Sequence, residues 1–265
     1  MKLTSVILFV SVCLVGVAAA QSVPSSSPLS VNLYDDFNHQ FLAQGEWNTQ
    51  CFAGNISLEC AIEIQSGQLR MANRATGQRT SDTGFQVGVA NANFSAHSEF
   101  IKSITTDVTV EDIQESPCAA NPSFGGNAGI TARFFNPGTG NRDDDVGAQV
   151  VFGRAVTSPK GELNVFGQFF QNGIYTTFVL GKVSIGTPVT ETLTWDKPNH
   201  QFIATWTNNV THITTTQAMP YFFPDNFPAV DPTKSLQVDE LPSNCTATQT
   251  SVYVQAMFDN VFVGR

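Results

Sequence analysis

Acidic residues that could act together on a substrate are few in this chain, and the first to test are in Val110-Glu111-Asp112-Ile113-Gln114-Glu115. On a strand rising about 3.3 Å per residue, Glu111 and Glu115 stand roughly 13 Å apart. Carboxyl pairs that cleave glycosidic bonds need about 5–5.5 Å for retention and about 6.5–9.5 Å for inversion. Asp112 should face the opposite side from both, so the stretch reads as a solvated strand end before Pro117. A second acidic group, Asp143, Asp144 and Asp145, follows the Gly-rich run 137–141. Carboxylates beside Asn and carbonyl oxygens suit a hard cation, and Ca²⁺ is the ion these three would take; the spacing is not that of an EF-hand, and a solvated charge cluster is the plainer reading.

The four histidines, His39, His97, His200 and His212, form no His-Glu-x-x-His pair and have no Gly-x-Ser-x-Gly serine to serve. They read as polar strand-end residues. Segment 219–232 is better suited to binding. It carries Pro220, Pro224, Pro228 and Pro232 together with Tyr221, Phe222, Phe223 and Phe227. Rings on a stiffened loop can stack on a sugar, and Asp225 and Asn226 can anchor its hydroxyls, which makes Tyr221, Phe222, Asp225, Asn226 and Phe227 the candidate ligand-binding set. The competing account has the same rings closing one end of a core.

The elements that must position these residues are strands. Stretch 178–207 reads as three consecutive antiparallel strands: Leu193 and Trp195 alternate with Thr194, and beyond an Asp196-Lys197-Pro198-Asn199 turn Phe202, Ala204 and Trp206 alternate with polar partners. Segment 62–71 reads as a hairpin about Ser66-Gly67. Stretch 98–113 is a long strand in which Ile104, Val108 and Val110 share a parity that Ile113 breaks, the mark of a bulge or an end. Further strands are expected at 85–89, 128–135, 146–153, 163–170 and 213–216, and the strands near 33–37 and 256–263 should be neighbours. No stretch shows a sustained 3.6 period.

The first 20 residues have the form of a secretory signal peptide: Lys2, an apolar run over 6–17, and Ala18-Ala19-Ala20. Residues 21–31 read as a Ser/Pro-rich leader without apolar period, and 32–265 as a single β domain. The expected product is a secreted protein, extracellular or periplasmic, with no membrane insertion, since no apolar run reaches the roughly 20 residues a spanning helix needs. A net charge of −9 with no basic cluster disfavours nucleic acid as a partner.

Without Cys13 of the leader peptide, Cys51, Cys60, Cys118 and Cys245 remain, an even count that fits disulfides. Three pairings are open; the short Cys51 to Cys60 separation favours that bridge with Cys118–Cys245, the first as a hairpin staple. Asn55, Asn93, Asn209 and Asn244 head Asn-x-Ser/Thr triplets, acceptors only on a eukaryotic route.

Many short strands, frequent turns and no helices predict an all-β, two-sheet antiparallel β-sandwich. The stretches LGKVSIGTPV, TLTWDKPNHQFIATW and FDNVFV resemble the corresponding parts of concanavalin A-like lectin/glucanase jelly rolls, particularly secreted bacterial members. That resemblance implies a jelly roll with a face that meets carbohydrate. Three functions follow as expectations: lectin-like, non-catalytic carbohydrate binding, for which a glycan or extracellular polymer is the partner; a structural or adhesive extracellular protein; and a glycoside hydrolase or lyase with a non-standard site.

Overall fold

The computed structural model describes residues 29–53, 57–156 and 158–265; the expected signal peptide and most of the leader lie outside them. The strands are β1 (Val31–Asp35), β2 (Trp47–Ala53), β3 (Leu58–Gln65), β4 (Gln68–Thr76), β5 (Gly88–Phe94), β6 (Ser103–Ser116), β7 (Gly125–Asn136) and β8 (Val146–Ala155). They continue as β9 (Glu162–Gln171), β10 (Ile174–Ser184), β11 (Val189–Asp196), β12 (Gln201–Asn208), β13 (Thr214–Pro220), β14 (Phe227–Pro228), β15 (Lys234–Leu241) and β16 (Ser251–Gly264). Two antiparallel sheets result. The first runs β13-β12-β11-β6-β16-β4-β3, with β1 also on β16; the second runs β10-β9-β8-β7-β15-β5-β2, with β14 on β7.

Period-two patterning builds the core between them. Ile104, Val108, Leu193, Phe202, Ala204, Val254 and Phe258 of the first sheet face Ala92, Ile130, Val150, Phe152, Val165, Leu236 and Val238 of the second, all buried. The 62–71 hairpin forms as expected, with Ser66 at φ 53° and Gly67 at φ 77°, the doubly positive turn whose twist matches paired strands. The first and last strands are neighbours, Val31 opposite Gly264. The long strand begins at Ser103, because Ser98–Phe100 is a single 3-10 turn.

Two expectations need correction. Stretch 178–207 is not one sheet: β10 pairs with β9 in the second sheet, and the chain crosses through Ile185-Gly186-Thr187-Pro188 before β11 and β12 pair in the first. Alternation marks a buried face but cannot say which sheet owns it. The bulge in β6 falls at Glu111, since Gln255 pairs with Asp112 and Ala256 with Val110. That extra residue places Glu111 beside Gln255, on the outer face that Asp112 and Gln114 also share, whereas Glu115 forms an ion pair with Arg154, both little exposed. Asp112 therefore shares a face with Glu111.

Both disulfides form, Cys51–Cys60 and Cys118–Cys245. Cys51 sits on β2 and Cys60 on β3, so the first bridge joins the two sheets and is not a hairpin staple. Of the Asn-x-Ser/Thr triplets, Asn55 lies outside the described residues. Asn244 is buried, its Oδ1 accepting from Gln78 N at 3.1 Å and its Nδ2 donating to Thr83 O at 3.1 Å. Asn209 lies in the turn after β12, before the exposed Val210. Expressed through a eukaryotic secretory route, the folded product should carry a glycan at Asn209 and none at Asn244; glycopeptide mass spectrometry checks this, and an occupied Asn244 would contradict the buried hydrogen bonds.

Candidate functional site

The segment that looked built for ligands divides between core and solvent. Tyr221 is buried at 2% exposure, its hydroxyl donating to Asp225 Oδ2 at 2.7 Å and accepting from Trp195 Nε1 at 2.8 Å. Asp225 is buried too and also meets His200 Nδ1 at 3.1 Å. Burial first, and then the bond to Asp225, raise the Tyr221 pKa and keep the phenol neutral. The Tyr221 ring packs on Phe135 and Phe202, with centroids 4.9 and 5.0 Å away. Phe222, Asn226 and Phe227 are exposed, Phe222 almost completely. Two of the five residues thus fasten the loop to the core, and three remain outside.

The aspartate triplet is also divided. Asp143 is exposed and Asp144 partly so, while Asp145 is buried with Oδ1 accepting from Asn136 Nδ2 and Val230 N and Oδ2 from Asp231 N. Asp145 thereby ties two loops together, and among the described residues the three aspartates do not form a group with ligand atoms within 4.8 Å of one another. A tighter group, Asp35, Asp36 and His39, has ligand atoms within 4.8 Å of one another. There too Asp35 is engaged, accepting from Phe37 N and Trp47 Nε1, each at 2.7 Å.

A groove lies elsewhere, on the outer face of the second sheet. It has a volume of about 630 Å³, and its lining draws on seven of that sheet's eight strands, all but β14. The register explains it. Asn48 pairs with Asn93, Asn93 with Ser235, Ser235 with Thr131, Thr131 with Gln149, Gln149 with Gln168, and Gln168 with Thr177. One rung of the sheet is thus polar from edge to edge. Beside it runs Gln50, Asn91 and Gln237, again directly paired. On the other side Arg133 pairs with Gly147, Gly147 with Phe170, and Phe170 with Tyr175.

Within the rung the hydrogen bonding is uneven. Gln149 donates to Gln168, which donates to Thr177 Oγ1 at 2.7 Å, so the β8–β10 side is internally satisfied. Across β5 it is not: Asn91 Oδ1 and Asn93 Oδ1 are buried without a partner. Acceptors in that condition cost free energy until a donor arrives. At the far end the Phe170 and Tyr175 rings lie 5.4 Å apart at 40°, and Gly147 leaves the room they need, since a Cβ there would fall 2.3 Å from the Phe170 ring.

Asp239 lies outside the lining, two residues from Gln237 on the same face of β15. Burial raises its pKa to about 6, against hydrogen bonds from Asn127 and Gln237 that pull it down. Burial and the Asp239 charge raise the pKa of Tyr175, while Arg133 lowers it. At the rim Arg142 Nη2 meets Asp231 Oδ2 at 2.7 Å. Asn91-Ala92-Asn93 belongs to β5, most of which lies beyond the strand expected at 85–89, and the pairing that assembles seven polar faces into a rung was not legible in the sequence either.

No protein-family model matches the chain, and no curated protein sequence matches it. Among solved structures, the CBM2 module of an evolved Dit protein from the Lactobacillus casei BL23 phage J-1 aligns over 90% of this chain and 99% of its own, at 8% identity and TM-score 0.45. Winged bean acidic lectin complexed with methyl-α-D-galactose covers 82% and 99%, at 13% identity and TM-score 0.37. Scytalido-glutamic peptidase with a peptide-based transition-state analogue covers 56% of this chain, at 9% identity and TM-score 0.37; the chain spans 64% of that protein, short of two thirds. These likenesses carry no function across. The architecture of the chain, two antiparallel sheets face to face, is the one the resemblance to concanavalin A-like jelly rolls implied.

Proposed function

We propose that the protein binds carbohydrate without cleaving it, holding a linear glycan across the strands of the second sheet. The observation that carries this is the edge-to-edge polar rung through Asn93, flanked on one side by the amide acceptors of the Gln50, Asn91 and Gln237 row and on the other by a row that ends in a ring pair. Sugar hydroxyls are donors for those acceptors, and pyranose faces are apolar surfaces for the rings. Six strand spacings of about 4.8 Å give a floor roughly 29 Å long, enough for about five or six linked rings. Catalysis by paired acids has no support in this groove, whose lining among the described residues contains one carboxylate, Asp231, already ion-paired.

A glycan array followed by titration with oligomers of increasing length tests the reading. Affinity should rise with length to about six units and then level off, and Asn93→Ala or Tyr175→Ala should weaken binding about tenfold with folding unchanged. Absence of any bound glycan, or variants that bind like the parent, would refute it.

A further inference from the structure

The end of the groove beside the rings has an imbalance of charge. Arg142 Nη2 lies 2.7 Å from Asp231 Oδ2 and Arg133 Nη1 lies 3.7 Å from the same oxygen, the second an ion-pair distance too long for a hydrogen bond. The other oxygen, Oδ1, is taken by the Thr233 hydroxyl. Arg133 Nη1 is buried and has no hydrogen-bond partner. Two guanidinium groups thus share one carboxylate oxygen, and the Arg133 side chain, 32% exposed, lines the groove with its other atoms. Beneath the same strand the Lys234 ammonium, 1% exposed, donates to the Arg133 carbonyl at 3.0 Å, adding a third cation. Asp143 and Asp144, on the Arg142 loop, are not part of the groove lining.

In a chain of net charge −9, a groove end lined by two cations and one anion is a local reversal of sign. Arginine forks match planar carboxylates and hold them with charge-assisted hydrogen bonds. The same row of the sheet continues from Arg133 across Gly147 to Phe170 and Tyr175, so a fork and an apolar platform lie side by side. A sugar ring that bears a carboxylate uses both at once.

We propose that this end of the groove is a carboxylate subsite, so that the glycan taken here contains uronic acid units whose carboxylates are held by Arg133 and Arg142 while their rings lie on Phe170 and Tyr175. The inference rests on the reading of the groove as a glycan site and adds the substrate class.

The test compares hexamers of galacturonate, guluronate and glucuronate, each against its carboxyl-reduced neutral counterpart, by calorimetric titration of the full protein at low and at physiological salt. At least one acidic hexamer should bind about tenfold or more tightly than its neutral partner, with a preference that shrinks as salt rises. Arg133→Gln and the exposed Arg142→Gln should each reduce that preference, read as the ratio of acidic to neutral affinity, with thermal unfolding confirming the fold. Equal affinity for every acidic and neutral pair overturns the subsite and leaves the glycan reading standing. Failure of all six hexamers to bind overturns both. Binding of polyglutamate as tight as that of the best uronate would show a general anion site and overturn the saccharide assignment.

Discussion

Replacing Tyr221 by alanine should lower the unfolding free energy by about 3–5 kcal/mol, the range for truncating a buried aromatic side chain, while Phe222→Ala next to it should change stability by less than about 0.5 kcal/mol. The contrast follows from exposure: 2% for the first and 96% for the second. Tyr221→Phe separates ring from hydroxyl. It leaves Trp195 Nε1 without its acceptor and removes one of the donors to Asp225, which should cost about 1–3 kcal/mol. Urea denaturation of the three variants measures all of this. Since none of these residues lines the groove, glycan binding by the folded variants should match the parent. Lost binding with stability intact would return the loop to the role its aromatic content suggested.

The second large effect is on the pH dependence of stability, which should run opposite to ordinary acid denaturation across the weakly acidic range. Glu191 is fully buried between the sheets; burial pushes its pKa well above the ordinary range, against the Ile130 backbone amide, which pulls it down. Glu240, facing Asn73, is raised for the same reason and by the nearby Asp239 charge, and Asp239 itself is raised to about 6. For each group the folded chain holds its proton more tightly than the unfolded chain does. The stabilisation is therefore complete below about pH 4 and is lost as pH rises toward the folded-state pKa, at up to about 1.4 kcal/mol per pH unit for each group. Asp239 contributes up to about pH 6, and the two glutamates extend the decline above that. Lys234, lowered to about 8 by burial, acts with opposite sign only in the alkaline range. Unfolding free energies at pH 4, 5.5 and 7 should fall in that order, and Glu191→Gln should flatten the slope. A steady rise from pH 4 to 7 would show that these carboxyls are hydrated in solution.

Much of the fold was legible in residues whose side chains alternate. Leu193, Phe202, Ala204 and Trp206 announced a buried face, the parity break after Val110 announced the bulge at Glu111, and four cysteines announced two bridges. The location of β10 in the other sheet was not legible, because a Gly-Thr-Pro crossing and a hairpin turn have similar composition. The site was still less accessible. Aromatics in a Pro-rich loop drew attention by type, but Tyr221 is spent on packing, and the groove is made from Asn, Gln, Thr and Ser on separate strands. Their convergence is a property of register, set by pairings as far apart as Asn93 and Ser235.

One disulfide runs from sheet to sheet, Cys51 of β2 to Cys60 of β3 at one pair of edges, and the other joins two loops, Cys118 after β6 to Cys245 after β15. Among the described residues the opposite pair of edges, β10 and β13, has no disulfide, and Leu180 and Met219 both lie against Gly167 there. The sandwich is therefore bound like a book along a spine at β2 and β3, and thermal opening of its leaves starts at the far margin. The groove spans both: its Asn48 and Gln50 end lies at the spine on β2, and its Phe170 and Tyr175 end lies at the margin on β9 and β10.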